Sequence, residues 1–143
     1  MSRFVLDASV AVKWFLPPAT EPLAKEAWRF FALHMEGRIW LSVPDLFWTE
    51  CTNVFWKAAR QGRITWDAAE EAIQNLLGQS LYTLPSRELL YAAFGIARKF
   101  NHPVYDCLYV ALAVRSNAQL ITADERLANA LAAHLPVKWL GSA

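Results

Sequence analysis

Two carboxylates stand where short apolar runs end. Asp7 follows "RFVL" and Asp124 follows "LITA", and a segment with helical spacing comes after each of them. Short apolar runs bounded in this way predict buried strands. In open parallel sheets, ligands bind at the carboxyl ends of the strands. We therefore expect both acids at the ligand-binding edge of one sheet.

Two further acids lie on helix faces that are otherwise apolar. Glu50 lies within a stripe of apolar residues at helical spacing, formed by positions 47, 51, 54 and 58. Asp106 heads a second stripe, which continues through positions 109, 110 and 113. Because acidic side chains are almost never buried without a partner, these two positions predict inward-facing functional acids.

Each acid also has a purely structural interpretation. Asp7 and Asp124 fit helix N-caps, and the segment 122–125 fits a capping box. Asp106 lies in a first helical turn, where the helix dipole favours a carboxylate. Glu50 can turn at the edge of its stripe and reach solvent. For any single acid this interpretation is at least as good as the functional one.

All four acids together favour a metal site. Neighbouring carboxylates repel and raise each other's pKa unless a cation neutralises them. Hard oxygen ligands select Mg²⁺ or Mn²⁺, and the chain has no HExxH or CxxC pattern for zinc. An acidic pocket that holds such an ion at a strand edge suits phosphate chemistry.

Strands and helices alternate along the chain. The pattern predicts strands at 3–6, 38–43, 80–84 (a strand or an extended link), 119–122 and 137–140. It predicts helices at 8–16, 20–35, 44–62, 65–79, 86–100, 103–116 and 124–134. Such alternation is typical of a parallel sheet covered on both faces, here in a single domain over 1–143.

Composition excludes several classes of protein. The net charge of +1 supports no broad basic face for long nucleic acids, so a nucleic-acid substrate must be gripped locally. The longest apolar run, 107–114, is too short to span a membrane, and no signal-peptide pattern opens the chain. Cys51 and Cys107 have no metal-binding spacing, and we interpret them as small buried hydrophobes. We expect a cytoplasmic protein.

Four segments together resemble the PIN-domain ribonucleases, and in particular the VapC-type toxins of bacterial toxin–antitoxin pairs. They are "FVLDASVAVKWFL", the helix with Glu50, "YDCLYVALA" and "LITADERL". The resemblance spans nearly the whole chain and implies a three-layer α/β/α fold with a central, mainly parallel sheet. It also implies a Mg²⁺ or Mn²⁺ site that hydrolyses RNA. Three acids would bind the metal (Asp7, Asp106 and Asp124), and Glu50 would hold a water or a second ion.

The same resemblance assigns supporting residues and partners. Ser9 and Thr122 match hydroxyl positions that support the site, although both also fit ordinary helix caps. The implied partners are an RNA substrate and a cognate antitoxin, whose Arg or Lys would enter among the four carboxylates. Two other functions stay open. One is a receiver domain, which needs an acceptor Asp at the end of a central strand and a Lys at the end of a late strand, although Lys138 falls within the last predicted strand. The other is a catalytically silent PIN-like protein-binding module.

The tryptophan content predicts an interface. The chain has seven Trp, and Trp48 and Trp56 lie opposite the Glu50 stripe of the same predicted helix, together with Phe55 and Ala59. A helix that is apolar on two sides is covered by the domain or shared with another chain. We expect a homodimer, with a fold-back of the 65–79 helix over both Trp as the alternative.

Overall fold

A parallel five-stranded sheet forms the centre of the molecule. The computed structural model describes residues 1–143. The strands are β1 (Ser2–Leu6), β2 (Ile39–Pro44), β3 (Tyr82–Leu84), β4 (Gln119–Thr122) and β5 (Val137–Trp139). Their order is β3-β2-β1-β4-β5, and every neighbouring pair is parallel. The order reverses at β1, which is where such sheets bind ligands.

Seven α-helices connect the strands. They are α1 (Ala8–Ala11), α2 (Ala24–Met35), α3 (Leu46–Arg60), α4 (Trp66–Leu77), α5 (Leu90–Phe100), α6 (Val104–Arg115) and α7 (Glu125–Leu131). Crossovers between parallel strands are right-handed. The connections that lead from β1 to β3 therefore lie on one face, and those that lead back to β4 and β5 lie on the other. The predicted three-layer α/β/α fold is confirmed.

The α6 helix lies at the centre of the core. Its residues 107–113 are all buried, since it packs on β1, β2 and β4 and is covered by α5. The surrounding hydrophobic core contains 38 buried residues. An acid in the first turn of so firmly packed a helix has a fixed position. None of the helices combines the length and the hydropathy needed to cross a bilayer.

Several helix limits differ from the prediction: α2 begins at Ala24 and α5 at Leu90, and two further differences occur at prolines. The helix expected at 8–16 is α-helical only over Ala8–Ala11 and continues as a 3-10 turn over Val12–Trp14, because Pro17 and Pro18 follow. Pro44 was expected to open a helix, but it is the last residue of β2. Pairing with β3 reaches this far along the strand, so α3 begins only at Leu46.

Candidate active site

The ends of β1 and β4 bring two acids together. Leu6 and Ile121 are register partners in the neighbouring strands, and the N–H of Asp7 donates to the Ile121 carbonyl at 3.1 Å. Asp124 follows the end of β4 by two residues. Sheet topology thus places Asp7 and Asp124 at the same edge, as the sequence predicted.

Two hydroxyls fix the Asp7 carboxylate. Ser9 Oγ donates to Asp7 Oδ2 at 3.0 Å, and Thr122 Oγ1 donates to the same oxygen at 2.7 Å. Both hydroxyls also accept a backbone N–H from the loop after β4, Ser9 from Ala123 and Thr122 from Asp124, each at 3.0 Å. Ser9 and Thr122 therefore join the Asp7 carboxylate to the loop that carries Asp124.

The helix-cap interpretation holds for one of the two strand-end acids. Asp7 occupies the N-cap position of α1 but makes no capping hydrogen bond. Asp124 does cap α7, because its Oδ1 accepts from the N–H groups of Arg126 and Leu127 at 3.1 and 3.2 Å. The predicted capping box is wrong, since Thr122 bonds the Asp124 N–H instead. The cap leaves Oδ2 of Asp124 without a protein donor.

Glu50 and Asp106 reach the site from two helices. Glu50 lies in the second turn of α3 and Asp106 in the first turn of α6, and both are half-buried. Burial raises the pKa of Glu50, and the Asp7 and Asp106 carboxylates raise it further. Burial likewise raises the pKa of Asp106, with further contributions from Asp7 and Asp124. The four acids therefore share one electrostatic site.

The pKa of Asp7 is subject to opposing influences. Its burial raises the pKa, and the Asp124 carboxylate adds to this, while the hydrogen bonds from Thr122 and Ser9 lower it. The net direction is upward, so keeping this carboxylate ionised at neutral pH costs folding free energy. A bound cation would remove that cost.

The donor set fits a hard divalent cation. Each of the four acids keeps at least one carboxylate oxygen without a protein hydrogen-bond donor, and none of them forms a salt bridge with Lys or Arg. As the side chains stand, however, no three His, Cys, Asp or Glu converge closely enough to hold an ion. Binding would require the free carboxylate oxygens to turn inward, and the role of these residues as ligands stays a prediction.

One residue of the site was missed from the sequence. Tyr109, in the α6 stripe below Asp106, donates its phenol hydroxyl to Glu50 Oε1 at 2.5 Å. The available signal was its i+3 spacing from Asp106, which places both side chains on one helix face. The two cysteines that follow site acids are buried. Burial raises the pKa of the Cys107 thiol to about 11 and raises that of Cys51 as well, so neither is a reactive thiolate.

Removing the Ser9 hydroxyl should destabilise the protein. In Ser9→Ala, the Asp7 carboxylate loses a donor and the Ala123 N–H loses its acceptor, which costs about 1–3 kcal/mol in the free energy of unfolding. Ser42→Ala is the matched control, because the buried Ser42 hydroxyl has no hydrogen-bond partner. Urea denaturation should show a loss for Ser9→Ala and none for Ser42→Ala. Equal losses would contradict the proposed support of the site.

The receiver-domain interpretation is wrong. A receiver domain needs this Lys at the end of its strand, whereas Lys138 is the middle residue of β5. The other two acids lie on helices rather than at strand ends.

Comparison with known proteins identifies relatives across nearly the whole chain. The family model described as PIN domain matches residues 4–131. Ribonuclease VapC3 of Pyrobaculum aerophilum is 33% identical over 128 residues, which are 88% of this chain and 92% of the relative.

Solved structures show the same fold. A crystal structure from Pyrobaculum aerophilum has a TM-score of 0.69 at 23% identity, and the match covers 99% of this chain and 92% of the chain in that structure. VapBC2 from Rickettsia felis, bound to a DNA fragment from its promoter, has a TM-score of 0.66 at 12% identity, with 96% and 98% of the chains covered. A toxin–antitoxin complex from Klebsiella pneumoniae has a TM-score of 0.61 at 14% identity over 94% of each chain.

Proposed function

The chain belongs to the PIN-domain family, and from this membership we propose that it is a Mg²⁺- or Mn²⁺-dependent endoribonuclease. We propose further that it acts in the cytoplasm as the toxin of a toxin–antitoxin pair. The observation that carries the proposal is the set of four acids that four different elements bring to one sheet edge. They are Asp7, Glu50, Asp106 and Asp124, each with a carboxylate oxygen that no protein group occupies.

The proposed roles follow from position and charge. Asp7, Asp106 and Asp124 would hold the divalent ion, and Glu50 would orient the attacking water or hold a second ion. When bound, such an ion lowers the pKa of a coordinated water and polarises the phosphoryl oxygens. Ser9 and Thr122 keep the Asp7 carboxylate in one orientation. In-line attack on the phosphodiester would leave a 5′-phosphate and a 3′-hydroxyl.

The test of this activity is cleavage of RNA by the purified protein with and without Mn²⁺. The proposal expects products with 5′-phosphate ends that appear only with the metal and are suppressed by a chelator. A protein that binds partners but neither binds Mn²⁺ nor cleaves any RNA would instead be the catalytically silent protein-binding module.

The partner side of the proposal rests on the charge of the site. Relatives of this fold occur in toxin–antitoxin complexes, including that from Klebsiella pneumoniae. For this chain we propose a cognate antitoxin that inserts an Arg or Lys among the four carboxylates. Such a side chain would neutralise the same charge as the metal and so exclude it.

We also propose that the chain forms a homodimer through the outer face of α3. Trp56 is 47% exposed, and it lines a shallow cavity of about 500 Å³ with Trp48, Thr49, Thr52 and Asn53. The alternative fold-back of α4 against α3 does occur, yet it leaves Trp56 uncovered. Two residues expected on this outer face, Phe55 and Ala59, are buried instead, because the inner face of α3 is wider than a single stripe.

A charge at Trp56 should separate the two protomers. Trp56→Glu places a carboxylate in the proposed interface, so we expect a folded monomer by analytical ultracentrifugation and circular dichroism. Trp66→Glu is the control, since Trp66 is 57% exposed on α4 and lies outside this surface. A folded Trp56→Glu variant with the oligomeric state of the wild type would show that α3 does not form the interface.

A further inference from the structure

Tyr109 makes a single, well-defined hydrogen bond. It lies in the second turn of α6 and is 1% exposed. Its phenol oxygen contacts one partner, Glu50 Oε1, at 2.5 Å. A tyrosine phenol carries its proton at neutral pH and acts as the donor of this bond. The acceptor is therefore the carboxylate.

Three of the four site acids accept hydrogen bonds from the protein, and the type of donor differs from one acid to the next. Two hydroxyls hold Asp7, and two backbone N–H groups hold Asp124. Glu50 has the Tyr109 phenol as its only hydrogen-bond donor. Because Glu has the longer side chain and more rotatable bonds than Asp, it loses more conformational freedom when it is fixed. A donor that fixes the Glu50 side chain before the ion binds lowers the entropy cost of ion binding.

Helix α6 therefore supplies both an acid and the support for another acid. Asp106 and Tyr109 are three residues apart and share one face of the helix. The bond to Glu50 links α6 to α3 across 59 residues of sequence. The phenol donates only to Oε1 of Glu50, so that Oε2 is the oxygen without a protein donor.

We propose that Tyr109 is a positioning residue, which holds Glu50 through one carboxylate oxygen and thereby commits Glu50 to the second of its two proposed roles, holding a divalent ion through the other oxygen. This inference rests on the proposed function, since it assigns a support to one acid of the same site. Side chains that orient metal ligands through hydrogen bonds typically change metal affinity by 10–100-fold when they are removed.

The test is Tyr109→Phe, which deletes one oxygen and keeps the buried ring. We expect native circular dichroism and a Mn²⁺ affinity lowered about tenfold or more in isothermal titration calorimetry. In RNA cleavage, the Mn²⁺ concentration for half-maximal rate should rise, while saturating Mn²⁺ restores most of kcat. The control is Tyr105→Phe on the same helix, because Tyr105 is 66% exposed and its hydroxyl makes no hydrogen bond within the protein.

A second comparison separates positioning from packing. In a Glu50→Ala background, Tyr109→Phe should leave Mn²⁺ affinity unchanged, because the phenol then has no acid to orient. The metal-free wild type should also show a slowly exchanging hydroxyl proton in its NMR spectrum, which Tyr109→Phe and Glu50→Ala both remove. This resonance reports on the bond even if a variant binds no metal.

The outcomes are distinct. Equal Mn²⁺ affinities for the wild type and Tyr109→Phe would overturn the role of Tyr109 and leave the proposed function standing. An equal loss of affinity with and without Glu50 would also overturn it, because the effect would then be on packing alone. A wild type that binds no Mn²⁺ would overturn the proposed function itself, and the positioning role with it.

Discussion

Asp7→Asn and Asp106→Asn should each abolish metal-dependent RNA cleavage, with rates lower by on the order of 10³-fold or more. Each substitution removes a negative charge from the site but keeps the shape of the side chain. At Asp7, the amide oxygen can still accept from Ser9 and Thr122, so the local hydrogen bonds survive. The loss should therefore lie in metal binding and chemistry, not in folding.

The same two variants should make the metal-free protein more stable. The pKa values of Asp7 and Asp106 are raised in the folded state, so the folded protein binds protons more readily than the unfolded chain. Stability of the wild type from these groups is thus greatest at acid pH, and it falls as pH rises through the raised pKa values. The Asn variants lack this fall, and their advantage in urea denaturation should grow from acid to neutral pH.

A neighbouring acid provides the control for both measurements. Glu125 follows Asp124 directly, but it is exposed and forms no salt bridge. Glu125→Gln should keep cleavage within a few-fold of the wild type. Undiminished cleavage by both Asp7→Asn and Asp106→Asn would show that these acids are not the reactive site.

Expression of the chain alone should arrest bacterial growth, and co-expression of its cognate antitoxin should relieve the arrest. The expected cause is RNA cleavage, so the Asp7→Asn variant should permit normal growth at the same protein level. That variant is the control for toxicity unrelated to the site, such as aggregation.

The mode of inhibition can be tested on the antitoxin. If a basic side chain enters among the four carboxylates, then replacing the Arg and Lys residues of the antitoxin tail with Gln should restore growth arrest. Inhibition that survives replacement of every basic residue in that tail would show that the antitoxin acts elsewhere.

The strand-end acids could be placed from the sequence because each strand is recognisable from its own short apolar run. The strand predicted at 119–122 is β4 with the same limits, and parallel strands end at a common edge. Asp7 and Asp124 therefore had to lie at the same edge once both were assigned to strand ends, and the pairing of β1 with β4 makes them neighbours. Helical spacing likewise placed Glu50 and Asp106 on inward faces.

Other features depend on contacts between distant segments, which spacing does not encode. The hydrogen bond between Tyr109 and Glu50 depends on how α3 and α6 pack. The start of α3 depends on where β3 stops pairing with β2. Because this pairing includes Pro44, the residue belongs to the strand and not to the helix. Phe55 was placed on the wrong face for a similar reason, since its ring packs at 6.2 Å from that of Phe15.

The central claim is that four acids from four elements form one site for a divalent cation. The most direct test is calorimetric titration of the purified protein with Mn²⁺ at neutral pH, compared with Asp7→Asn and Asp106→Asn. The claim predicts saturable binding by the wild type that each substitution abolishes, although all three proteins give the same circular dichroism spectrum. Identical isotherms for the three proteins, or no binding by the wild type, would contradict it.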